Sequence, residues 1–343
     1  MSFRSILVTF GSIFLAFAAG AGFILFSGIN PLFAYGSLFK GAFWGIDNLS
    51  ETIVKLCPLL LAGLAVAFPL KCRMFNIGAE GQLYLGALVS TWLGLSLQLP
   101  HLPFVLLLTA GGFLAGGIWG AIPGWLKARY GVSEIINTIM MNYIAIFLVT
   151  YIVRGPLQEA RKVFPQTDPI AKVAELNLLV SGTRLHIGIL IGLFCAVIVY
   201  VIFWKTPLGF QIRTVGENPE AAWYAGINIS RQTVFSMFMG GGFAGLAGMV
   251  EITGIHHRLL AGFSPGYGYS AIAVALLGKA HPLGIILTAL FFGGLRQGAG
   301  SMQRLAQVPV TVVYLLEGLV ILFILSGEYF LESRKEGLKT EGG

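Results

Sequence analysis

Charged residues are scarce in this chain. Lys and Arg number 22 and Asp and Glu 15 among 343 residues, so 11% is charged, against about 25% in a soluble domain. Hydrophobic residues make up 56%, and the mean hydropathy is +0.81. So few charges cannot cover the surface of a water-soluble protein of this length. The composition excludes a soluble enzyme, a disordered chain and an ordinary nucleic-acid-binding protein, and it predicts a polytopic membrane protein.

Cysteines and catalytic motifs are also sparse. The three cysteines, Cys57, Cys72 and Cys195, lie far apart and indicate neither a disulfide framework nor a metal site. No segment has the glycine-rich pattern that holds ATP phosphates, because Lys279 lacks the upstream glycine and is followed by alanine. No Ser-His-Asp, Cys-His or His-Glu-x-x-His arrangement is present. We therefore expect a non-enzyme without a cofactor; if the protein is a pump, its motor is another chain.

Ten apolar runs predict an all-α protein of about ten transmembrane helices, since about 20 residues cross the hydrocarbon core. They are Ile6–Phe26, Ile53–Leu70, Leu83–Leu99, Phe104–Ile122, Ile135–Val153, Ile187–Trp204, Val234–Val250, Ala271–Leu277, Ile285–Gly300 and Val310–Leu325. The count is eight or nine if Ala271–Leu277 is re-entrant. Ile6–Phe26 also has features of a signal peptide, but it is longer than a usual signal-peptide core, so we interpret it as a span.

Basic residues predict the orientation, because cytoplasmic loops carry an excess of them. With the N terminus inside, the predicted cytoplasmic segments hold Arg4, Lys71, Arg73, Lys127, Arg129, Lys205, Arg213, Arg231, Lys279, Arg334, Lys335 and Lys339. The short outer loops hold Lys40, Arg258, Arg296 and Arg304. The longer outer loop adds five, which weaken the bias without reversing it. We predict that both termini are inside, and we interpret the net charge of +7 as an orientation signal.

Glycine is abundant, at 46 residues, and often recurs at every fourth position. Such series are Gly112, Gly116, Gly120 and Gly124, then Gly241 and Gly245, then Gly294 and Gly298. Small residues with this spacing let helix backbones approach closely in lipid. We interpret these glycines as packing positions.

The segment 75–82, FNIGAEGQ, interrupts the apolar pattern between two predicted spans with one acid, two amides and two glycines. Glycines break a helix, and polar side chains can then satisfy the freed backbone groups. Irregular backbone at membrane depth is tolerated only against protein or a watery cavity. The segment is thus a candidate pathway or gate, or else a plain cytoplasmic turn capped by Asn76.

A second polar segment, residues 208–227, lies on the predicted cytoplasmic side. Residues 218–220 read as an N-cap, a proline at the first helical position and an acid in the first turn. They predict a short helix from Pro219 to Ala225, ended by Gly226. Such a helix is a docking element for a cytoplasmic partner or an ordinary connection.

A third segment, SPGYGY at 264–269, precedes the short run Ala271–Leu277, which Gly278 and Pro282 close. A short hydrophobic segment bounded by glycine and proline indicates a broken helix near a substrate path. Segment 75–82 is its rough counterpart in the first half, which suggests a two-half repeat.

One acid, Glu317, lies deep in an apolar run. A charge there costs at least about 2.5 kcal/mol on insertion scales, so we expect it to be paired or wet, with Arg296 as the candidate partner. An ion-coupled secondary transporter would need such mid-helix acids, and only Glu317 qualifies. A membrane-embedded enzyme would need a catalytic constellation, and the polar breaks disfavour a non-transporting scaffold.

At these motifs the chain resembles the permease subunits of bacterial ABC importers, closest to the nucleoside and simple-sugar permeases. The larger family includes ribose-type and branched-chain amino acid permeases. The matching stretches are FNIGAEGQ at 75–82, LKARYGVSEIINTIMMNY at 126–143, TPLGFQIRTVGENPEAAWYAGI at 206–227, and 264–278 with PLG at 282–284. They follow the family's order over roughly residues 50 to 325. Glu317 departs from the pattern, since an uncharged polar residue is expected there.

The resemblance implies a type II-like importer half in the bacterial cytoplasmic (inner) membrane. It implies one transmembrane permease domain at 1–330, with a long external loop at 154–185 and a cytoplasmic coupling segment at 205–232, followed by a cytoplasmic tail at 331–343. The outer loop is similar to the longer of two permease types that usually occur together, which implies a heterodimer with a second permease, or alternatively a homodimer. Cytoplasmic ATP-binding subunits and an extracytoplasmic substrate-binding lipoprotein are the other expected partners.

The resemblance also implies roles for individual residues, with a nucleoside as the expected solute and a simple sugar as the alternative. The expected substrate pathway contains Asn76, Glu80, Gln82, Asn137, Asn142, Tyr267 and Glu317. The expected contacts with the ATPase are Arg213, Gly216, Glu217, Asn218, Glu220, Ala221, Ala222 and Gly226. No metal ligand and no catalytic residue is expected.

Overall fold

The structure is a computed structural model that describes residues 3–309 and 311–340. Within these ranges it contains thirteen α-helices and no β-strand. The helices are α1 Phe3–Phe26, α2 Pro31–Phe43, α3 Ile46–Leu70, α4 Ala79–Ser96, α5 His101–Tyr130, α6 Glu134–Arg154, α7 Gly188–Lys205, α8 Pro207–Glu217, α9 Pro219–Tyr224, α10 Ile229–Glu251, α11 Tyr267–Leu277, α12 Pro282–Ala306 and α13 Thr311–Thr340. A π-helical turn, Ile252–His256, extends α10.

Six of the described helices are long and apolar enough to cross a membrane. They are α3, α5, α6, α7, α12 and α10 with its π turn. Helices α1 and α2 meet the same criterion only as a pair, bent by 118°, and α11 and Thr311–Phe323 are shorter apolar helices. The polytopic α-helical class is thereby confirmed. The total of ten spans and the inside location of both termini stay predictions.

The apolar patterns above do not predict α2, which follows a sharp bend after α1. Gly28 takes a left-handed φ of +74° in the bend. The Asn30 side chain then accepts a hydrogen bond from the Leu32 amide at 2.9 Å, and Pro31 occupies the first turn. An N-cap followed by proline is a strong helix-start signal. At 13 residues, α2 is too short to cross the membrane alone.

The chain divides into two compact units, residues 1–52 with 291–343, and residues 53–290. In the first unit, the rings of Tyr35, Phe39 and Phe291 surround Phe17 at centroid distances of 5.2 to 6.4 Å. A Cβ atom at Gly298 would collide with the Leu38 carbonyl. The glycine pair of α12 therefore packs against α2, as its spacing predicts.

In the second unit, α4, α5 and α10 pack through glycines. A Cβ at Gly245 of α10 would collide with the Gly112 carbonyl of α5, and a Cβ at Gly116 of α5 or at Gly86 of α4 would collide with Gly245. Gly120 lies against the Met237 carbonyl, where a Cβ would come within 2.6 Å. Glycines at every fourth position thus let the helix backbones pack closely, as predicted.

The segment between α6 and α7, residues 155–187, is held to the chain that follows α10. The Thr167 amide donates to the Leu259 carbonyl and the Ile170 amide to the His257 carbonyl, both at 2.9 Å. Within the segment, Glu159 accepts hydrogen bonds from the Gln166 side chain at 2.6 Å and the Phe164 amide at 3.0 Å. These bonds, led by that of Gln166, lower the pKa of the Glu159 carboxyl.

Candidate functional site

Helix α4 begins beside α3 rather than beyond its end. The Asn76 side chain donates to the Ala65 carbonyl of α3 at 3.2 Å. Ala65 lies five residues before Leu70, the last residue of α3, which is about 7.5 Å along a helix axis. After a turn at residues 71–73, the chain therefore folds back alongside α3 before α4 starts. This places an irregular, buried backbone segment among the helices.

Two buried amides stabilise this segment by pairing with each other. Asn76 donates to Gln82 at 2.8 Å, and Gln82 donates to Asn76 at 2.9 Å. Both side chains are about 1% exposed. The residue at the N-cap of α4 is Gly78, which makes no side-chain cap. The interpretation of a plain turn capped by Asn76 is wrong, because the Asn76 amide pairs with Gln82 in an apolar surrounding instead.

Asn142 of α6 forms two hydrogen bonds with the backbone of residues 77–81. Its side-chain oxygen accepts from the Gly81 amide, and its side-chain nitrogen donates to the Ile77 carbonyl, both at 2.8 Å. The first amides of a helix have no partner within the helix, so Asn142 satisfies one of these in α4. Gly81 is required for this approach, since a Cβ there would lie 2.8 Å from the Asn142 Cα.

Glu80 joins the N terminus of α4 to that of α11. Its carboxylate accepts a hydrogen bond from the Gly268 amide at 2.6 Å, although the two residues are 188 positions apart. A Cβ at Gly268 would collide with the Glu80 backbone. Ser264 completes the capping of α11 by accepting from the Gly266 and Tyr267 amides at 3.2 and 3.3 Å. A carboxylate beside two helix N termini is favourably placed for their partial positive charges.

Aromatic rings connect this contact to the π turn at the end of α10. Phe263, just before α11, packs on Tyr84 of α4 at 4.8 Å between centroids and on His256 at 6.0 Å. His256 lies 3.3 Å from the buried Glu251 carboxylate, a contact that the π turn makes available at a separation of five residues. Ser264, Gly268 and Phe263 are not among the predicted pathway residues, although the glycines and serine of SPGYGY signal a capped helix start.

The remaining predicted pathway residues, Tyr267, Asn137 and Glu317, lie in three different helices. Tyr267 begins α11 and is buried, and Asn137 of α6 has a buried side-chain nitrogen without a hydrogen-bond partner. Glu317 belongs to the other compact unit, where it lies 3.2 Å from Arg296. The structure thus brings together Asn76, Glu80, Gln82, Asn142 and Tyr267, and it confirms the expected Arg296–Glu317 contact.

The predicted coupling segment contains two short helices, α8 and α9. The Asn218 side chain accepts from the Ala221 amide at 3.0 Å, which confirms it as the N-cap of α9. The helix ends at Tyr224, one residue earlier than predicted, and Gly226 follows with a left-handed φ of +75°. Trp223 and Tyr224 are 66% and 82% exposed beside a surface hollow of about 440 Å³. Two exposed aromatic rings on a capped helix form a suitable protein-docking element.

Helix α8 packs directly on the turn at residues 71–73, which precedes the polar segment 75–82 (the polar break). Gly216 packs so closely against the Lys71 carbonyl that a Cβ would collide with it. Arg213 donates a hydrogen bond to the Phe203 carbonyl of α7. Burial and the nearby Arg213 charge lower the pKa of Lys71, and Glu217 acts in the opposite direction. The predicted coupling segment therefore contacts the chain at residue 71, five residues before Asn76.

No metal centre is found: across residues 3–309 and 311–340, no group of three or more His, Cys, Asp or Glu side chains is placed to hold an ion. The site is instead built from amides, one carboxylate and helix ends.

The fold thus defines a multi-pass α-helical membrane protein. The family model that describes the permease component of branched-chain amino acid transport systems matches residues 48–325. The chain belongs to this family, and it is a permease subunit of the ABC importer type.

Curated relatives cover almost the whole chain. The guanosine ABC transporter permease protein NupP of Bacillus subtilis is 40% identical over 98% of this chain and 97% of its own length. The glucose ABC transporter permease protein TsgB13 of Haloferax volcanii is 38% identical, covering 94% and 88%. The nucleoside ABC transporter permease protein NupB of Lactococcus lactis is 35% identical, covering 94% and 91%. No solved structure gives a significant match.

Proposed function

We propose that this permease forms the import path for a nucleoside. The observation that carries the proposal is its similarity, over nearly its full length, to permeases named for guanosine and nucleosides. A simple sugar is the second candidate, because the glucose permease TsgB13 is 38% identical.

Substrate uptake separates the two candidates. The permease is produced with its ATPase and binding protein in vesicles, and uptake of labelled guanosine and labelled glucose is measured with and without ATP. We expect ATP-dependent guanosine uptake that excess unlabelled nucleoside abolishes and excess glucose leaves intact. Uptake of glucose alone would replace the nucleoside with the sugar, and uptake driven by an ion gradient without ATP would contradict both.

The proposed assembly contains a second permease, two ATP-binding subunits and an extracytoplasmic lipoprotein. Bacillus subtilis has two guanosine permease proteins similar to this chain, which favours a heterodimer over a homodimer. We place the assembly in a bacterial inner membrane. This chain contributes one permease domain at 1–330, with both termini and the tail 331–343 in the cytoplasm. Purified alone, the chain should hydrolyse no ATP, and measurable turnover would contradict this arrangement.

The segment 205–232 is the proposed contact with the ATPase, with α9 as the docked helix. Exposed Trp223 and Tyr224 and the adjoining hollow support this role. Ala221→Lys places a charge on this helix and should abolish coupling, so that ATP hydrolysis continues while uptake stops. Ala128→Lys, on the same predicted side of the membrane at the end of α5, is the matched control. Equal uptake by the two variants would remove α9 from the docking surface.

The polar break is the proposed gate of the pathway. Its buried amide pair and the contact of α8 with residue 71 support a route from the ATPase to Glu80 and α11. Gln82→Leu should reduce uptake more than the amount of folded protein in the membrane. Equal losses of uptake and of folded protein would give the amide pair a structural role only.

A further inference from the structure

An apolar groove runs between α7 and the start of α12. It is lined by Ala196, Val197, Tyr200, Pro282, Leu283 and Ile286, and its volume is about 170 Å³. Val197 and Leu283 are 59% and 63% exposed, so the groove opens to the surroundings of the protein. Because both helices are long apolar spans, a groove on their exposed faces suits a hydrocarbon chain.

One end of the groove carries aromatic and basic side chains. The Tyr200 ring, which lines the groove, stacks on Trp204 at 5.2 Å between centroids. The His281 ring lies 4.7 Å from Trp204 and 6.0 Å from Tyr200. The Lys71 ammonium lies above the Trp204 ring at 5.9 Å from its centroid. Aromatic rings with a polar edge are typical of the membrane–water interface.

Positive charge accumulates at this end. Burial lowers the pKa of Lys71, and the neighbouring Arg213 lowers it further, while Glu217 opposes them with a smaller effect. Burial lowers the pKa of His281, and Lys71 adds to the effect, so the ring is uncharged at neutral pH and can donate an N–H group. The two cations that repel one another, Lys71 and Arg213, are stabilised by a bound anion. The apolar groove requires that the same ligand also carry a hydrocarbon chain.

We propose that this groove is a binding site for a phospholipid with an anionic headgroup. One acyl chain lies between α7 and α12, and the phosphate faces Lys71 and His281 beside Trp204. Basic pockets between membrane helices on the cytoplasmic side suit such headgroups. The site goes beyond the transport function, and because α8 packs on residue 71, a bound lipid also touches the turn beneath the coupling segment.

Native mass spectrometry of the purified full-length chain tests the proposal. The protein is incubated with an equimolar mixture of phosphatidylglycerol and phosphatidylcholine, and retained lipid is counted. Wild-type protein should retain phosphatidylglycerol preferentially, and Lys71→Gln should weaken that retention about fivefold, the effect of one basic residue near an anionic surface. Arg129→Gln, which removes a charge from the same predicted side but outside the site, should retain lipid as the wild type does.

A second pair of variants tests the groove itself without altering charge. Val197→Trp fills the groove and should reduce retained phosphatidylglycerol, whereas Leu190→Trp, exposed on the same helix but outside the lining, should not. Equal retention of both lipids by the wild type, or equal losses from the variant and its control, would overturn the proposal. So would cross-linking of Leu283→Cys to the second permease by a reagent that joins thiols to amines, in the assembled transporter, because protein would then cover the groove. These outcomes are independent of nucleoside uptake.

Discussion

Two buried carboxylates, Glu80 and Glu317, are satisfied in different ways. Glu80 is 2% exposed and accepts from the Gly268 amide at the start of another helix. Glu317 is 6% exposed and lies 3.2 Å from the Arg296 guanidinium. The first acid uses backbone dipoles, and the second uses a full opposite charge.

The Glu80 contact is a joint, meaning a contact that can break and re-form, whereas the Arg296–Glu317 contact is a fixed pair. A helix N terminus offers a partial charge that a carboxylate can leave and regain, whereas a buried ion pair loses several kcal/mol when one partner is removed. Glu80 also lies in the first turn of α4, directly after the irregular residues 75–78. We therefore expect substitutions at Glu80 to alter transport and substitutions at Arg296 or Glu317 to alter stability.

The Arg296→Ala variant should lose about 3 to 5 kcal/mol of folding free energy, because the Glu317 carboxylate loses its guanidinium partner while buried. Thermal unfolding can be followed with a thiol-reactive dye, since Cys57, Cys72 and Cys195 are free and buried. The double change Arg296→Met with Glu317→Leu is the matched control and should recover most of the loss. A double variant as unstable as the single one would contradict the role of the ion pair.

His186 adds a buried group that stays neutral. Burial and, less strongly, His257 lower its pKa to about 4, and its Nδ1 accepts from the Gly188 amide at 3.1 Å. Between pH 6.5 and 4 the unfolded chain binds more protons at His186 than the folded chain does. The stabilisation from His186 is therefore complete above about pH 6.5, and the free energy of unfolding falls by about 3 kcal/mol on acidification to pH 4. His186→Gln should flatten this part of the stability curve. Parallel curves for the two proteins would refute the assignment.

Glu80→Gln retains an acceptor but removes the charge, and hydrogen bonds to charged groups contribute about 1.5 to 3 kcal/mol. We expect uptake per folded molecule to fall about tenfold. Glu317→Gln is the control: it should lower the unfolding temperature while uptake per folded molecule stays near the wild-type value. If both variants behaved alike in both measurements, the distinction between joint and fixed pair would fail.

Asn142→Ala removes both bonds that clamp the break and should cost about 1 to 2 kcal/mol of stability. Asn137→Ala, five residues earlier on the same helix, removes an amide nitrogen without a partner and should not lower stability. A fall in uptake with Asn137→Ala alone would indicate that this amide contacts the solute. Equal destabilisation by the two changes would argue against the clamp.

Local features of the fold could be predicted because neighbouring residues encode them. The Asn218 cap, the end of α9 near Gly226 and the glycine packing positions follow from short-range rules. Helix α2 was not predicted because, although Asn30 and Pro31 signal its start, its 13 residues are too few for a membrane span. The Asn76 pair was not predicted because either a cap or a buried pair fits the same residues, and only the surroundings decide between them.

By itself, the sequence determined that this protein is an all-helical membrane permease, where its helices break, and which residues at the breaks are polar. Its few charges force the helices into lipid, and its glycines and prolines set the interruptions. The tertiary structure alone decided which interruptions meet. Glu80 and Gly268 come into contact because the close packing of α4 with its neighbours brings two helix N termini to one buried carboxylate, and no local pattern records a partner 188 residues away.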